Sequence, residues 1–212
     1  MNRIQKAPLR VSMIFVMAFF VVFLTYRTTI VTAFDRGILS WFEQTRTDGF
    51  LMLMDGLAFV GSTKIVAILG IVLIIFLLVR RSPLNDVYFS AAVLLTTGVL
   101  NTAAKYSFAR VRPEEFMIVE LSTFSFPSGH TMGAASFYSV VAFLIWKRTD
   151  RRSIRFAISS FSIGMIVLMG ISRVYLGVHF PTDVMGGLFL SGAILSFFYW
   201  FYYQRNGRNL NR

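Results

Sequence analysis

The sequence predicts an all-α fold: a polytopic membrane protein whose six transmembrane helices form a single membrane-embedded domain over residues 1–212. Three observations predict it. The chain is 56% hydrophobic with a mean hydropathy of +0.65, which leaves too little polar surface for a soluble domain of 212 residues. Its apolar residues form continuous runs, several of them near or above the length that crosses about 30 Å of hydrocarbon. These runs do not alternate apolar with polar, which argues against a membrane β-barrel.

The six predicted spans are residues 11–31, 62–80, 86–104, 129–147, 154–172 and 183–203. The second runs almost without polar interruption from Ile65 to Val79 and stops at Arg80-Arg81-Ser82-Pro83, so spans two and three form an antiparallel hairpin. The fourth stops at another tight basic turn, Lys147 to Arg152. The sixth ends in Tyr199-Trp200-Phe201-Tyr202-Tyr203, an aromatic cluster of the kind that favours the membrane–water interface.

An even span count puts both termini on one side. That side carries thirteen basic and two acidic residues, the other eight of each. By the positive-inside rule the first side is cytoplasmic and the ends of spans three to six that carry the motifs below face outward. The net charge of +11 therefore sits at the ends of apolar runs, and nucleic-acid binding is not expected. With no cysteine there is neither a disulfide framework nor a thiolate metal site.

The N-terminus has the form of a signal peptide: Arg3, Lys6 and Arg10, an apolar stretch, then Val31-Thr32-Ala33. An uncleaved first span is favoured, because its removal would leave an odd span count and put the basic C-terminus outside. Residues 35–60 mix Trp41, Phe42, Phe50 and Leu51 with Asp35, Glu43, Arg46, Asp48 and Asp55. They read either as one or two amphipathic helices at the outer interface or as a connecting loop packed on the bundle.

Ionisable residues beside hydrocarbon are costly and mark functional sites. Three elements stand out in the second half. Lys105-x6-Arg112-Pro113 ends span three; Pro113 disfavours helix at Arg112, so the chain turns and two cations could converge on one anion. Pro127-Ser128-Gly129-His130 opens span four: Ser128 suits the helix cap, free N–H groups there attract anions, and Gly129 admits a phosphate close to the backbone. Ser172-Arg173-x5-His179-x3-Asp183 joins spans five and six. Asp183 on one imidazole nitrogen of His179 would fix the tautomer and free the other to attack. Each element alone could be a membrane boundary, a capped helix or a satisfied polar pair. Together they bring Lys105, Arg112, Arg173, Asp183 and the chain's two histidines to one face of the membrane, a set suited to phosphoryl transfer.

These blocks resemble the signature of the type 2 phosphatidic acid phosphatase superfamily, the lipid phosphate phosphatases. The short chain and the Ser128-Gly129-His130 form are similar to bacterial phosphatidylglycerophosphate phosphatases of the B type; undecaprenyl diphosphate phosphatases look similar, some with Asp where this chain has Gly129. The resemblance implies a phosphatase with His179 as nucleophile, Asp183 as its support and His130 as general acid and then base. It implies Lys105, Arg112, Ser128, Gly129 and Arg173 as phosphate ligands, no cofactor and no metal, so activity is expected in EDTA. It implies a lipid phosphate substrate in a cell membrane. The signature is shared by soluble vanadium haloperoxidases, which the apolar spans disfavour, and by larger glucose-6-phosphatases. The alternative from another class is a non-catalytic lipid-phosphate binding or transport protein. Arg110 is one further outward cation, either a ligand for the second phosphate of a diphosphate or a solvated loop charge. Glu114, Glu115 and Phe116 are expected at the pocket entrance.

Overall fold

The structure, a computed structural model, describes residues 3–119 and 121–209. Glu120 and Arg212, counted above in the charge balance, lie outside them. The helices are α1 (Arg3–Thr25), α2 (Thr29–Gln44), α3 (Asp48–Val60), α4 (Thr63–Val79), α5 (Leu84–Phe108), α6 (Gly129–Arg148), α7 (Arg152–Tyr175) and α8 (Pro181–Asn209), with one 3-10 turn at Glu114–Phe116. α1 lies along α8, α6 contacts α4, α5, α7 and α8, and α2 and α3 pack on α7.

Four described helices are long and apolar enough to cross a membrane: Ala7–Thr25, Leu84–Phe108, Arg152–Tyr175 and Pro181–Gln204. α3 and α4, bent by 46° at their junction, make a fifth if taken as one broken span. α6, expected as the fourth span, is not among them. The reason is its place: Thr131, Met132, Ala134, Ala135, Ser136, Val140 and Leu144 are buried against neighbouring helices, so small and polar residues replace lipid-facing ones. Thr97 and Ser136 hydroxyls meet 2.7 Å apart across α5 and α6.

The first predicted span, residues 11–31, is broken. α1 ends at Thr25 and Thr28 adopts an extended conformation as the N-cap of α2. The threonine-rich run Thr25-Tyr26-Arg27-Thr28-Thr29 supplies the break: the Thr25 hydroxyl donates to the Val21 carbonyl at 2.7 Å and the Thr28 hydroxyl to the Thr25 carbonyl at 2.8 Å, local bonds that compete with helix continuation. Residues 35–60 thus fall in α2, α3 and the short turn between them, with exposed Trp41, Phe50 and Leu53 and buried Leu39, Met54 and Ala58.

One apolar cluster joins α4, α5, α6 and α8 through Leu77, Phe89, Val93, Met132, Val140 and Ile194. A second, Met54, Ala58, Tyr175, Leu176 and Val178, fastens α3 under the α7–α8 connection. A third sets Phe126 against Phe19 and Val22 of α1. The Phe126 ring, with no exposure, has Phe19, Tyr26 and Phe108 ring centroids at 5.4, 5.8 and 5.8 Å. At the opposite end from the three motifs, Asp86 is buried and accepts from Lys147 at 2.6 Å, Arg148 at 2.8 Å and Tyr202 at 2.9 Å.

Candidate active site

The C-terminal end of α5, the N-terminal end of α6, the last turn of α7 and the first turn of α8 meet at one end of the bundle. Lys105 is in the last turn of α5, which closes on Ala109 in the left-handed region. Its ammonium donates to the Phe124 carbonyl and lies 3.5 Å from that of Ser125. Arg112 follows outside any helix, where Pro113 disfavours helical backbone. Its Nε donates to the Thr123 carbonyl and its Nη1 to the Val178 carbonyl, both at 2.6 Å. The guanidinium thereby clamps the α5–α6 connection to the α7–α8 connection.

Ser128 caps α6: its hydroxyl oxygen accepts from the Thr131 N–H at 3.5 Å and the Thr131 hydroxyl at 3.0 Å. Its own N–H donates to the Asp183 carbonyl at 3.0 Å, tying the start of α6 to the start of α8. Gly129 is the first helical residue, so its N–H has no intrahelical acceptor. A Cβ there would meet Asn101 Oδ1 at 2.8 Å, so that side chain would have to shift to admit one. His130, half-buried on the same turn, is in electrostatic range of Arg173, His179, Arg112 and Lys105.

His179 is 1% exposed. Its Nδ1 is 3.3 Å from Asp183 Oδ2, and its Nε2 is 3.3 Å from Arg112 Nη1. The consistent assignment puts the proton on Nδ1, facing the carboxylate, and leaves the Nε2 lone pair toward the cations. Burial, then the charges of Arg112, Lys105 and Arg173, push His179 well below the usual imidazole range, against an opposing contribution from the Ser125 backbone. Arg173 is also buried, and its Nε–H has no hydrogen-bond partner among the described residues. A buried donor left unpaired costs about 1–3 kcal/mol, a cost that a phosphoryl oxygen at this position would remove.

The loop that carries His179 is held from below. Gly177 has φ +72°, and a Cβ there would fall 1.9 Å from the Phe116 carbonyl oxygen. Arg46, between α2 and α3, donates to the Tyr175 carbonyl at 3.1 Å and the Phe116 carbonyl at 2.8 Å.

Arg110 takes neither of its expected roles. It is 8% exposed and lies between Asp35 and Asp183, bonded to them at 2.8 and 2.7 Å. It is neither a solvated loop charge nor a free ligand for a second phosphate. Asp35, read as one charge of an interfacial stretch, has no exposure at all. The sequence carried one signal for it: an acid whose neighbours Ala33, Phe34, Ile38 and Leu39 are apolar. Thr182, between two motif residues, was also missed. Glu115 pairs with Arg36 at 3.0 Å on the exposed surface beside this loop.

From this site an apolar cleft of about 610 Å³ runs between α4, α5 and α6, lined among others by Ala67, Gly70, Leu94, Gly98, Asn101 and Gly129.

The model of the PAP2 superfamily matches residues 86–207, which includes every site residue named in the three motifs. The chain belongs to the PAP2 superfamily. This PAP2 chain is similar over nearly its whole length to the crystal structure of a transmembrane PAP2-type phosphatidylglycerolphosphate phosphatase from Bacillus subtilis: TM-score 0.85 and 30% identity, covering 92% of this chain and 96% of that one. It is 48% identical over 103 residues to phosphatidylglycerophosphatase B of Bacillus subtilis strain 168, covering 48% of this chain and 50% of that protein. It is 30% identical over 128 residues to a lipid A 1-phosphatase of Rhizobium etli, covering 53% of this chain and 51% of that protein. The PAP2 chain thus spans about half the length of the curated relatives it matches.

Proposed function

We propose that this protein hydrolyses a membrane lipid phosphate through a phosphohistidine, without a metal ion, with phosphatidylglycerophosphate the first candidate substrate and undecaprenyl diphosphate the second. The observation that carries the reading is the poise of His179: one ring nitrogen faces Asp183 and the other faces Arg112, each at 3.3 Å. An imidazole kept neutral and so oriented is a nucleophile aimed at whatever anion Arg112 holds.

In this reading His179 Nε2 attacks phosphorus and the phosphorus–oxygen bond to the lipid breaks. His130 gives its proton to the departing lipid oxygen. A water then attacks the phosphohistidine, His130 takes its proton, and the nitrogen–phosphorus bond breaks to release inorganic phosphate. Lys105, Arg112 and Arg173, with the Ser128 hydroxyl and the Gly129 N–H, hold the phosphoryl oxygens as their charge redistributes. Three fixed cations stand where other phosphoryl-transfer sites use metal ions.

The apolar cleft between α4, α5 and α6 supports a lipid over a soluble phosphate, since it offers a tail a path that ends at Gly129. Arg110, consumed by two carboxylates, is withdrawn from the ligands open to a second phosphate, which favours the monophosphate. The names of the Bacillus relatives agree with that order. The charge balance further supports a six-span plan with cytoplasmic termini and a site opening on the outer leaflet.

The test is phosphate release by the purified protein in EDTA from each of the two lipids, with His179→Ala as control. Release lost in the variant supports the reading. Activity that disappears on chelation and returns with Mg²⁺ sinks the metal-free mechanism.

A further inference from the structure

The Asp35 carboxylate, on α2, accepts three hydrogen bonds. The Thr182 N–H donates to Oδ1 at 3.1 Å; the Thr182 hydroxyl and Arg110 Nη2 donate to Oδ2 at 2.6 and 2.8 Å. Arg110 turns its other nitrogen, Nη1, to Asp183 Oδ1 at 2.7 Å and the Thr182 hydroxyl oxygen at 2.8 Å. The rings of Tyr26 and Phe180 flank the guanidinium, 4.4 and 4.0 Å from its carbon to their centroids. Asp183 then has one oxygen on Arg110 and the other, Oδ2, on the Phe180 N–H at 2.9 Å and before His179. Four separate parts of the chain thus fix one carboxylate.

We infer that Asp35 and Arg110 are positioning residues for the nucleophile, acting on His179 through Asp183. The inference rests on the functional reading above and adds to it a second, remote carboxylate. Two physical demands explain why both are needed. A carboxylate with no exposure must be paired to stay ionised, and its rotamer must be fixed if one oxygen is to face an imidazole. Arg110 meets both demands. A one-to-one pair, however, leaves no net charge, and an imidazole gains positive character as its lone pair goes to phosphorus. Asp35 restores the missing charge: two carboxylates around one guanidinium carry −1. The planar fork of arginine is what lets one cation address both; a lysine ammonium offers no such fork.

A purely structural triad makes a different prediction, and kinetics separate the two. Asp35→Asn keeps the shape and removes the charge. Steady-state kinetics in EDTA on folded Asp35→Asn should show kcat lower by about 10- to 100-fold, as for partners that orient a reacting group. KM should stay within about twofold, because no phosphate ligand is touched. Arg110→Lys should not restore activity. Thr182→Val, which removes only the hydroxyl shared by Asp35 and Arg110, should lower kcat in the same direction by less; it carries the test if Asp35→Asn does not fold. In an Asp183→Asn background the effect of Asp35→Asn should largely vanish, since a residue acting through Asp183 has nothing left to act on. Unchanged kcat in Asp35→Asn and Thr182→Val with only a lowered melting temperature would overturn the inference. So would a full additive loss on top of Asp183→Asn. Turnover that survives His179→Ala overturns the functional reading instead, and so tells the two failures apart.

Discussion

Arg112 Nη1 lies 3.3 Å from His179 Nε2, a cation set at one ring nitrogen of a buried imidazole that already has Asp183 on its other nitrogen. Together with burial it keeps the ring neutral, well below the usual imidazole range. In the unfolded chain the same histidine takes up a proton near pH 6.5. The unfolded state therefore binds more protons as pH falls through that value, and stability falls with it. The slope from one such group is about 1.4 kcal/mol per pH unit at most. Melting in detergent from pH 8 to pH 5 should show the loss begin near pH 6.5, and His179→Gln should have a shallower slope. Identical slopes would mean that His179 titrates alike in both states.

His130 and His179 should differ in how much is lost. His179→Ala should leave no turnover above background. His130→Ala removes an acid and base but leaves the nucleophile and cations, so a loss of about 10²–10⁴-fold is expected. Single-turnover experiments on His130→Ala with a substrate whose leaving group needs no protonation should recover the first step. If they do not, His130 has another role.

Gly177 gives a backbone prediction. At φ +72°, with the Phe116 carbonyl 1.9 Å from where a Cβ would be, Gly177→Ala must displace either the His179 loop or the chain at Phe116. The left-handed conformation alone costs an alanine about 1–2 kcal/mol. Both kcat and the melting temperature should fall. A variant with wild-type values of both would show that this contact is easily relaxed.

Gly98 lines the apolar cleft, and a Cβ there meets nothing within 4 Å among the described residues. Gly98→Leu should fold normally and obstruct the path. It should raise KM for a long-chain lipid phosphate and leave a short-chain, water-soluble phosphate unchanged. An equal effect on both would detach the cleft from the lipid tail.

Asp86 offers the converse experiment. It sits at the far end of the bundle, where it accepts from Lys147, Arg148 and Tyr202. The two cations are partly exposed and water can serve them, so Asp86→Asn should cost about 1–3 kcal/mol of stability. In detergent, at a temperature where the variant is folded, kcat should be unchanged. A lowered kcat would reveal coupling between the two ends.

The sequence made the helical, membrane-embedded class plain because lipid-facing runs are long, continuous and bounded by charge. α5, α7 and α8 carry that pattern end to end. α6 departs from it because its surroundings are protein, and a run with Thr131, Ser136 and His130 gives hydropathy little to read. The three motifs were legible because Lys105, Arg112, His130, Arg173, His179 and Asp183 are each unusual where they stand. Arg110 and Asp35 were not, for a reason of distance. They are bonded across 75 positions of sequence, and neither has a local partner that announces the pairing. The break at Tyr26 escaped notice because a threonine-rich turn inside an apolar stretch looks like continued helix to any window average.

α8 is fastened at two heights: through Thr182 to Asp35 and through Tyr202 to Asp86. These residues are 20 positions apart, roughly 30 Å along a helix, close to the thickness of the hydrocarbon layer. A helix fastened near both ends resists sliding or tilting alone to follow a thinner or thicker bilayer. The bundle should then keep a fixed height and leave the bilayer to adapt to it. Turnover in vesicles should therefore peak at one acyl length and decline on both sides, with Asp86→Asn, which frees the far bolt, broadening that optimum.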